Sequence, residues 1–123
     1  MKDHFGCPVQ ATTNAIAGKW KVQIVWHLAY GPLRFGEVRR RLVHVSEKVL
    51  TAQLRELEAD DIVVRATNGM QPLQVTYSLS PAGKELLPGL ALLCNWGTRH
   101  LGVPSQLPPL PKSVLAGAAD ISS

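Results

Sequence analysis

The chain has 123 residues, 46% of them hydrophobic and 18% charged, which fits one globular domain and excludes a disordered chain. Two cysteines are too few for a disulfide framework. The sequence shows neither a signal peptide nor an apolar run long enough to span a bilayer. We therefore expect a cytoplasmic protein with no membrane partner. A net charge of +4 makes nucleic acid or another anionic surface a candidate partner.

The N-terminal part of the chain predicts two helices. Pro8 is favoured at the first position of a helix, which makes Cys7 its cap and predicts a first helix over 9–17. A wide apolar stripe predicts a second, largely buried helix over 19–30. Gly31 followed by Pro32 is a strong stop signal for this second helix.

Two shorter helices are predicted next, joined by a short turn. The first runs over 35–42, and Ser46 is a good N-cap for the second, over 47–60. Three leucines of this fourth helix recur at i, i+4 and i+7 and form its inner side. The opposite, outward side carries Lys48, Thr51, Ala52 and Arg55.

The pattern then changes from helical to alternating. Runs over 62–64 and 73–79 predict two strands of a hairpin, and Asn68 before Gly69 is a strong turn signal between them. A last helix is predicted over 81–100, with Pro88 expected to kink it.

This order predicts a mostly α fold with a small β-hairpin, a winged helix-turn-helix domain over 7–102. The remaining segment, 103–123, is rich in proline at its start, and we expect it to be an extended or mobile tail.

A helix-turn-helix places one exposed helix in the major groove of DNA, while neighbouring elements contact phosphates. The candidate recognition helix is 46–60. Six basic and two acidic residues lie between positions 34 and 55, so the whole excess of +4 falls on this segment. The residues expected to contact DNA are Arg34, Arg39, Arg40, Arg41, Ser46, Lys48, Thr51, Ala52, Arg55, Asn68 and Gln74.

Two parts of this set have a second interpretation. The three adjacent arginines, 39–41, contact the DNA backbone or form an ordinary solvated basic face, because neighbouring helical residues point in different directions. The wing residues Asn68 and Gln74 carry no charge, so the wing either makes modest DNA contacts or stays off the DNA.

The first and last helices carry more apolar surface than a small domain buries alone. We expect a twofold dimer, with the alternative that the tail or the hairpin covers this surface. The expected dimer residues are Ile16, Leu86, Leu90, Leu93 and Trp96.

The cysteines and histidines suggest one reactive position. Cys7 lies at a helix N-terminus, where the helix dipole favours thiolate, so it is a redox-sensing candidate or an inert cap residue. Cys94 lies in an apolar run and is expected to be a buried packing residue. The four histidines lack metal-ligand spacing, and we expect neither a metal nor another cofactor.

Several segments together resemble the HxlR-type winged-helix regulators, which are similar to MarR proteins. They are Cys7-Pro8-Val9, Ile16-Ala17-Gly18-Lys19-Trp20, Gly31-Pro32-Leu33-Arg34-Phe35, Val45-Ser46-Glu47-Lys48-Val49-Leu50-Thr51, Leu54-Arg55-Glu56-Leu57-Glu58 and Val75-Thr76-Tyr77-Ser78-Leu79-Ser80. The resemblance covers about 7–101. It implies a homodimeric DNA-binding transcriptional regulator, paired through its first and last helices.

The resemblance also implies a role for Cys7, which matches the N-terminal cysteine through which some members respond to oxidants or electrophiles. Two positions depart from the family pattern. Asp61 stands where a glycine is usual before the wing, and Gln74 stands where a basic residue is common.

From the sequence we expect a homodimer that binds a pseudo-palindromic DNA operator in a sequence-specific manner. Repression of transcription is the default expectation. A small-molecule inducer is a further candidate partner. The alternative is a winged-helix protein-interaction module, suggested by the uncharged wing and the acidic stretch 56–61. An enzyme is not expected, because no nucleophile has a plausible partner and no phosphate-binding loop is present in the sequence.

Overall fold

The computed structural model describes residues 6–114. Its helices are α1 (Pro8–Ala15), α2 (Lys21–His27) with a 3₁₀ turn at Leu28–Tyr30, α3 (Phe35–Arg41), α4 (Glu47–Ala59) and α5 (Pro81–Leu101). Its strands are β1 (Leu33–Arg34), β2 (Val63–Thr67) and β3 (Val75–Leu79), which form an antiparallel sheet in the order β1-β3-β2. This order confirms the predicted winged-helix fold.

The sheet differs from the predicted two-stranded hairpin in three ways. The strand predicted over 62–64 is β2, which runs further, to Thr67. The short strand β1, which was not predicted, pairs with β3 through Leu33 opposite Tyr77. The strand predicted over 73–79 begins only at Val75, because the Asn68 side-chain oxygen accepts the backbone N–H of Gln74 at 3.1 Å and holds that residue in the turn.

The hydrophobic core fills the space between α2, α3, α4, the sheet and α5. It includes the three leucines predicted for the inner side of α4. The largest fully buried side chains are those of Ile24, Val25, Val38, Leu42, Leu50, Leu54, Leu57 and Leu87.

A close contact between α5 and the start of the wing locks the two together. The backbone N–H of Ser80 donates to the Ile62 carbonyl at 3.0 Å, and the Ser80 hydroxyl accepts the backbone N–H of Gly83 at 2.9 Å. A Cβ on Gly83 would lie 2.2 Å from the Ile62 carbonyl oxygen. Only glycine therefore permits this approach without a shift of the backbone.

Asp61 has a left-handed backbone, with φ at 59°, in the turn between α4 and β2. Glycine adopts this conformation without a steric penalty, whereas other residues do so at a cost. The preference of the resembled family for glycine at this position therefore has a conformational reason, and Asp is among the residues that tolerate it best.

Part of the segment expected to be an extended or mobile tail, from Leu107 to Val114, is packed against the domain. Leu110 is 7% exposed and belongs to the core, and the indole N–H of Trp26 donates to the Pro108 carbonyl at 2.7 Å. This hydrogen bond satisfies a buried donor, so the packed domain continues beyond residue 102. The rest of the predicted tail, 115–123, lies outside the described residues.

Over residues 6–114, no helix is both long enough and apolar enough to cross a membrane.

We expect Gly83→Ala to lower the free energy of unfolding by about 1–3 kcal/mol, because its Cβ overlaps the Ile62 carbonyl. Urea unfolding measures this change. Gly36→Ala is the matched control, since its nearest new neighbour is the flexible Arg40 guanidinium at 3.7 Å. It should be neutral or stabilising by up to about 1 kcal/mol. An equal effect of both substitutions would contradict the close contact.

Candidate DNA-binding surface

The outward face of α4 is defined by what the helix buries. Leu50, Leu54 and Leu57 are at most 1% exposed, so the helix cannot rotate about its axis without exposing a leucine. The opposite side brings together the four residues predicted to meet bases: Lys48, Ala52 and Arg55 are exposed and Thr51 is half-buried. We call these four residues the α4 outward face.

The start of α4 is fixed by its cap. The Ser46 side-chain oxygen accepts the backbone N–H of Val49 at 3.1 Å, which satisfies a donor that the helix itself leaves unpaired. The hydroxyl proton of Ser46 remains available to donate to a phosphate. The residue predicted as a DNA contact therefore also has a structural role.

Arg39 connects α3 to the start of α4. Its Nε donates to the Val45 carbonyl at 3.3 Å, and its Nη1 lies 3.0 Å from a Glu47 carboxylate oxygen. This arginine therefore supports the turn between the two helices. Arg40 and Arg41 are both exposed, and neither forms an ion pair within the described part of the chain.

A partly buried ion pair that sequence reasoning missed anchors the other end of α4. Lys21 on α2 is 6% exposed, and its Nζ lies 2.8 Å from Glu56 Oε1. The partners are 35 residues apart, so no local pattern predicts their contact. Glu56 belongs to the acidic stretch that suggested a protein-interaction module, and its charge is compensated by Lys21.

The wing receives a basic residue from β1. Arg34 pairs with Thr76 of β3 in the sheet, and its Nη2 donates to the Gln74 Oε1 at 3.0 Å. Two predicted DNA contacts are thus brought together, and the uncharged Gln74 has a guanidinium beside it. The sequence did not predict this contact, because it depends on the pairing of β1 with β3.

Asn68, the remaining predicted wing contact, closes the loop of the hairpin. Its side-chain oxygen accepts the backbone N–H groups of Met70 and Gln74, each at 3.1 Å. Its amide NH₂ remains available as a donor. The wing tip around it is exposed and includes Met70 and Leu73.

Cys7 is the N-cap of α1 and is exposed. The backbone N–H groups of Gln10 and, less strongly, Val9 favour the thiolate and lower the pKa of the Cys7 thiol, although neither forms a well-aligned cap hydrogen bond. This is the direction that the helix-terminus argument predicts.

The residues predicted to form a dimer interface divide into two groups. Ile16 and Leu90 are buried in the core of the protomer itself, so in this conformation they offer no surface to a partner. Leu86 is half-buried, whereas Leu93 and Trp96 are 62% and 52% exposed. Two further apolar residues of α5, Leu92 and Leu101, are exposed as well.

The other cysteine and one of the histidines considered from the sequence, Cys94 and His27, are both half-buried. Cys94 is half-buried rather than buried, with its Sγ 3.7 Å from the Ser105 hydroxyl. Burial lowers the pKa of His27, and the nearby charge of Arg41 adds to this effect. No group of three His, Cys, Asp or Glu side chains suited to a metal ion occurs where the structure describes the chain.

Comparison with known proteins gives the same architecture. The model of the HxlR-like helix-turn-helix family matches residues 15–104. The chain belongs to this family. It is 41% identical over 100 residues to the HTH-type transcriptional regulator YtcD of Bacillus subtilis, over 81% of this chain and 79% of that protein.

Solved structures of similar regulators agree with the fold. The crystal structure of the regulator ytcD superposes with a TM-score of 0.74 at 40% identity, over 79% of this chain and 99% of that one. The redox regulator HypR in its reduced form gives a TM-score of 0.73 at 40% identity, over 77% and 96% of the two chains. The protein is a transcriptional regulator of the helix-turn-helix type.

We expect the alkylation rate of Cys7 by iodoacetamide to rise with a midpoint pH below that of cysteine in an unstructured peptide, because thiolate is the reacting form and the helix terminus favours it. Mass spectrometry of the reduced protein measures this rate. Cys94→Ser should retain the rapid reaction and Cys7→Ser should lose it. A midpoint at or above that of the peptide would contradict the expectation.

Proposed function

We propose that this HxlR-like regulator binds a pseudo-palindromic DNA operator as a homodimer and represses transcription by occupying a promoter. The observation that carries the proposal is the α4 outward face, which buried leucines orient and which consists of donors and one small apolar residue. Such a face fits the major groove of B-DNA, about 12 Å wide.

The α4 outward face supplies the contacts that read sequence. Arg55 and Lys48 can donate to the O6 and N7 acceptors of guanine, and Thr51 can bond either kind of base edge. Ala52 lies among them, is exposed, and has only a methyl group. It therefore permits close approach and can contact a thymine methyl.

Phosphate contacts come from the elements beside α4. Arg40 and Arg41 on α3 are exposed, and the Ser46 hydroxyl lies at the start of α4. Arg34 beside Gln74 gives the wing a charged donor. In this proposal Arg39 acts mainly by positioning the turn, since Val45 and Glu47 already accept hydrogen bonds from it.

Homodimerisation would cover the exposed apolar residues of α5, of which Leu92, Leu93 and Trp96 are spaced to share one side of the helix. A twofold axis makes one patch meet its own copy, so no second kind of surface is needed. It would also place two α4 helices about 34–36 Å apart, the spacing of successive major grooves.

Oxidants or electrophiles are the proposed signal, received at Cys7. The exposed position and lowered pKa of this thiol support the proposal, and so does the likeness to HypR, which is named a redox regulator. The interaction-module alternative loses part of its support, because Lys21 compensates the charge of Glu56 and Arg34 brings a charge to the wing beside Gln74.

We expect Arg55→Ala to weaken binding of the specific operator by about 1–3 kcal/mol while changing non-specific binding little. Arg40→Ala should weaken binding to all sequences alike and reduce the slope of log affinity against log salt by about 1. Fluorescence anisotropy with operator and scrambled DNA, over a salt series on the reduced protein, measures both effects.

Lys112→Ala is the control for loss of one exposed charge, because Lys112 is exposed and belongs to neither α3, α4 nor the wing. It should leave operator binding and the salt slope unchanged. Intact operator binding by Arg55→Ala, or three variants with the same salt slope, would contradict the assigned roles.

A further inference from the structure

The wing tip, residues 69–73, is exposed and largely apolar. Met70 is 66% exposed and Leu73 is 56% exposed, and Pro72 between them is exposed as well. The protomer covers none of these three side chains. A partner that covers them therefore gains the free energy of removing apolar surface from water.

Hydrogen bonds at the base of the wing tip restrain its backbone. The backbone N–H of Asn68 donates to the Gln74 carbonyl at 3.1 Å, and the Asn68 side-chain oxygen accepts the N–H groups of Met70 and Gln74. Binding through the tip therefore costs less conformational entropy than binding through an open loop of the same length.

The wing projects away from the hydrophobic core. Val63 at the start of β2 is 3% exposed, whereas the four residues that follow it in the strand are all exposed. At about 3.3 Å per residue, these four residues carry the tip about 13 Å beyond the buried end of β2. The minor groove of B-DNA is about 7.5 Å deep, so the projection is long enough for a side chain at the tip to reach its floor.

The charges around the wing tip suit a polyanion. From residue 62 to residue 83 the chain has no Asp or Glu, and its one charged residue there is Arg65, which is exposed. The 3.0 Å hydrogen bond from Arg34 to Gln74 places a second guanidinium beside the wing. The apolar tip therefore has positive charge at its base and no carboxylate on the wing to repel phosphate.

The two arginines lie on opposite faces of the sheet. Arg34 pairs with Thr76 of β3, whereas Arg65 pairs with Tyr77, the next residue of the same strand. Paired residues share a face of the sheet, and successive residues of a strand point to opposite faces. An apolar tip with a guanidinium on each side matches a minor groove, because phosphate backbones border that groove on both sides.

We propose that the wing tip enters the minor groove beside each operator half-site, where Met70 inserts between two base pairs, opens their stacking and bends the DNA. Leu73 and Pro72 pack beside the inserted side chain. Apolar wedges of this kind kink a duplex by about 20–90°. The inference rests on the proposed function and adds to it, because the wedge favours easily unstacked steps such as TA at positions that α4 does not read.

The experiment uses the duplex that the reduced, full-length protein enriches from a random DNA pool. The fluorescent base 2-aminopurine, which brightens when it leaves the base stack, replaces in turn each adenine that flanks a half-site. On binding, the fluorescence should rise at one step beside each half-site. Energy transfer between dyes at the two duplex ends should show a bend of about 20–90° for each inserted wedge.

Met70→Gln tests the wedge, because it keeps the length of the side chain and replaces its apolar end with an amide. It should lose the rise in fluorescence and the bend, and it should bind the duplex about tenfold more weakly. Val64→Ala is the control, since Val64 is 45% exposed on β2 but lies outside the wing tip. It should keep all three properties. Circular dichroism checks that both variants are folded.

The results separate this inference from the proposed function. A specific duplex that stays stacked and straight when bound, or equal behaviour of Met70→Gln and Val64→Ala, would overturn the wedge and leave operator binding intact. Enrichment of no duplex would overturn both. A shift of Met70→Gln from dimer to monomer in sedimentation, with the DNA readouts unchanged, would also overturn the wedge and assign the wing tip to contact with a second copy of the chain.

Discussion

The burial of one leucine face on α4 is the constraint on which the rest of the molecule depends. Leu50, Leu54 and Leu57 are withdrawn from water against neighbouring helices and the sheet, at a gain of about 1.5–3 kcal/mol for each fully buried side chain. Rotating α4 about its axis would forfeit this gain. The residues on the opposite side are therefore held outward, and the candidate reading surface follows from core packing rather than from any contact of its own.

Polar contacts at both ends then fix where α4 begins and ends. Ser46 caps its first turn and Arg39 ties that turn to α3, whereas Lys21 holds Glu56 near its last turn. Because Lys21 is nearly buried, its ammonium group needs the Glu56 carboxylate as a partner, so this contact helps to specify the position of α4. Beyond α4, the close approach of Gly83 to Ile62 joins the wing to α5, which carries the exposed apolar residues that we propose for pairing.

Periodicity and capping in the sequence predicted the helices, the hairpin and the outward residues of α4, because these features arise from neighbours within a few residues. Contacts between distant segments escaped prediction. The strand β1 is only two residues long, Lys21 and Glu56 are 35 residues apart, and Trp26 donates to Pro108 across 82 residues. The same limit applies to Ile16 and Leu90. Their apolar character predicts a dimer surface, whereas the structure buries both within one protomer.

The measurement that tests the central claim most directly is selection of bound duplexes from a random DNA pool by the reduced, full-length protein. Two α4 helices related by a twofold axis predict an enriched inverted repeat whose half-site centres are about 10 base pairs, or one helical turn, apart. Enrichment of no sequence, with binding that depends on salt alone, would contradict sequence-specific recognition by α4. Enrichment of a single half-site would contradict the paired arrangement.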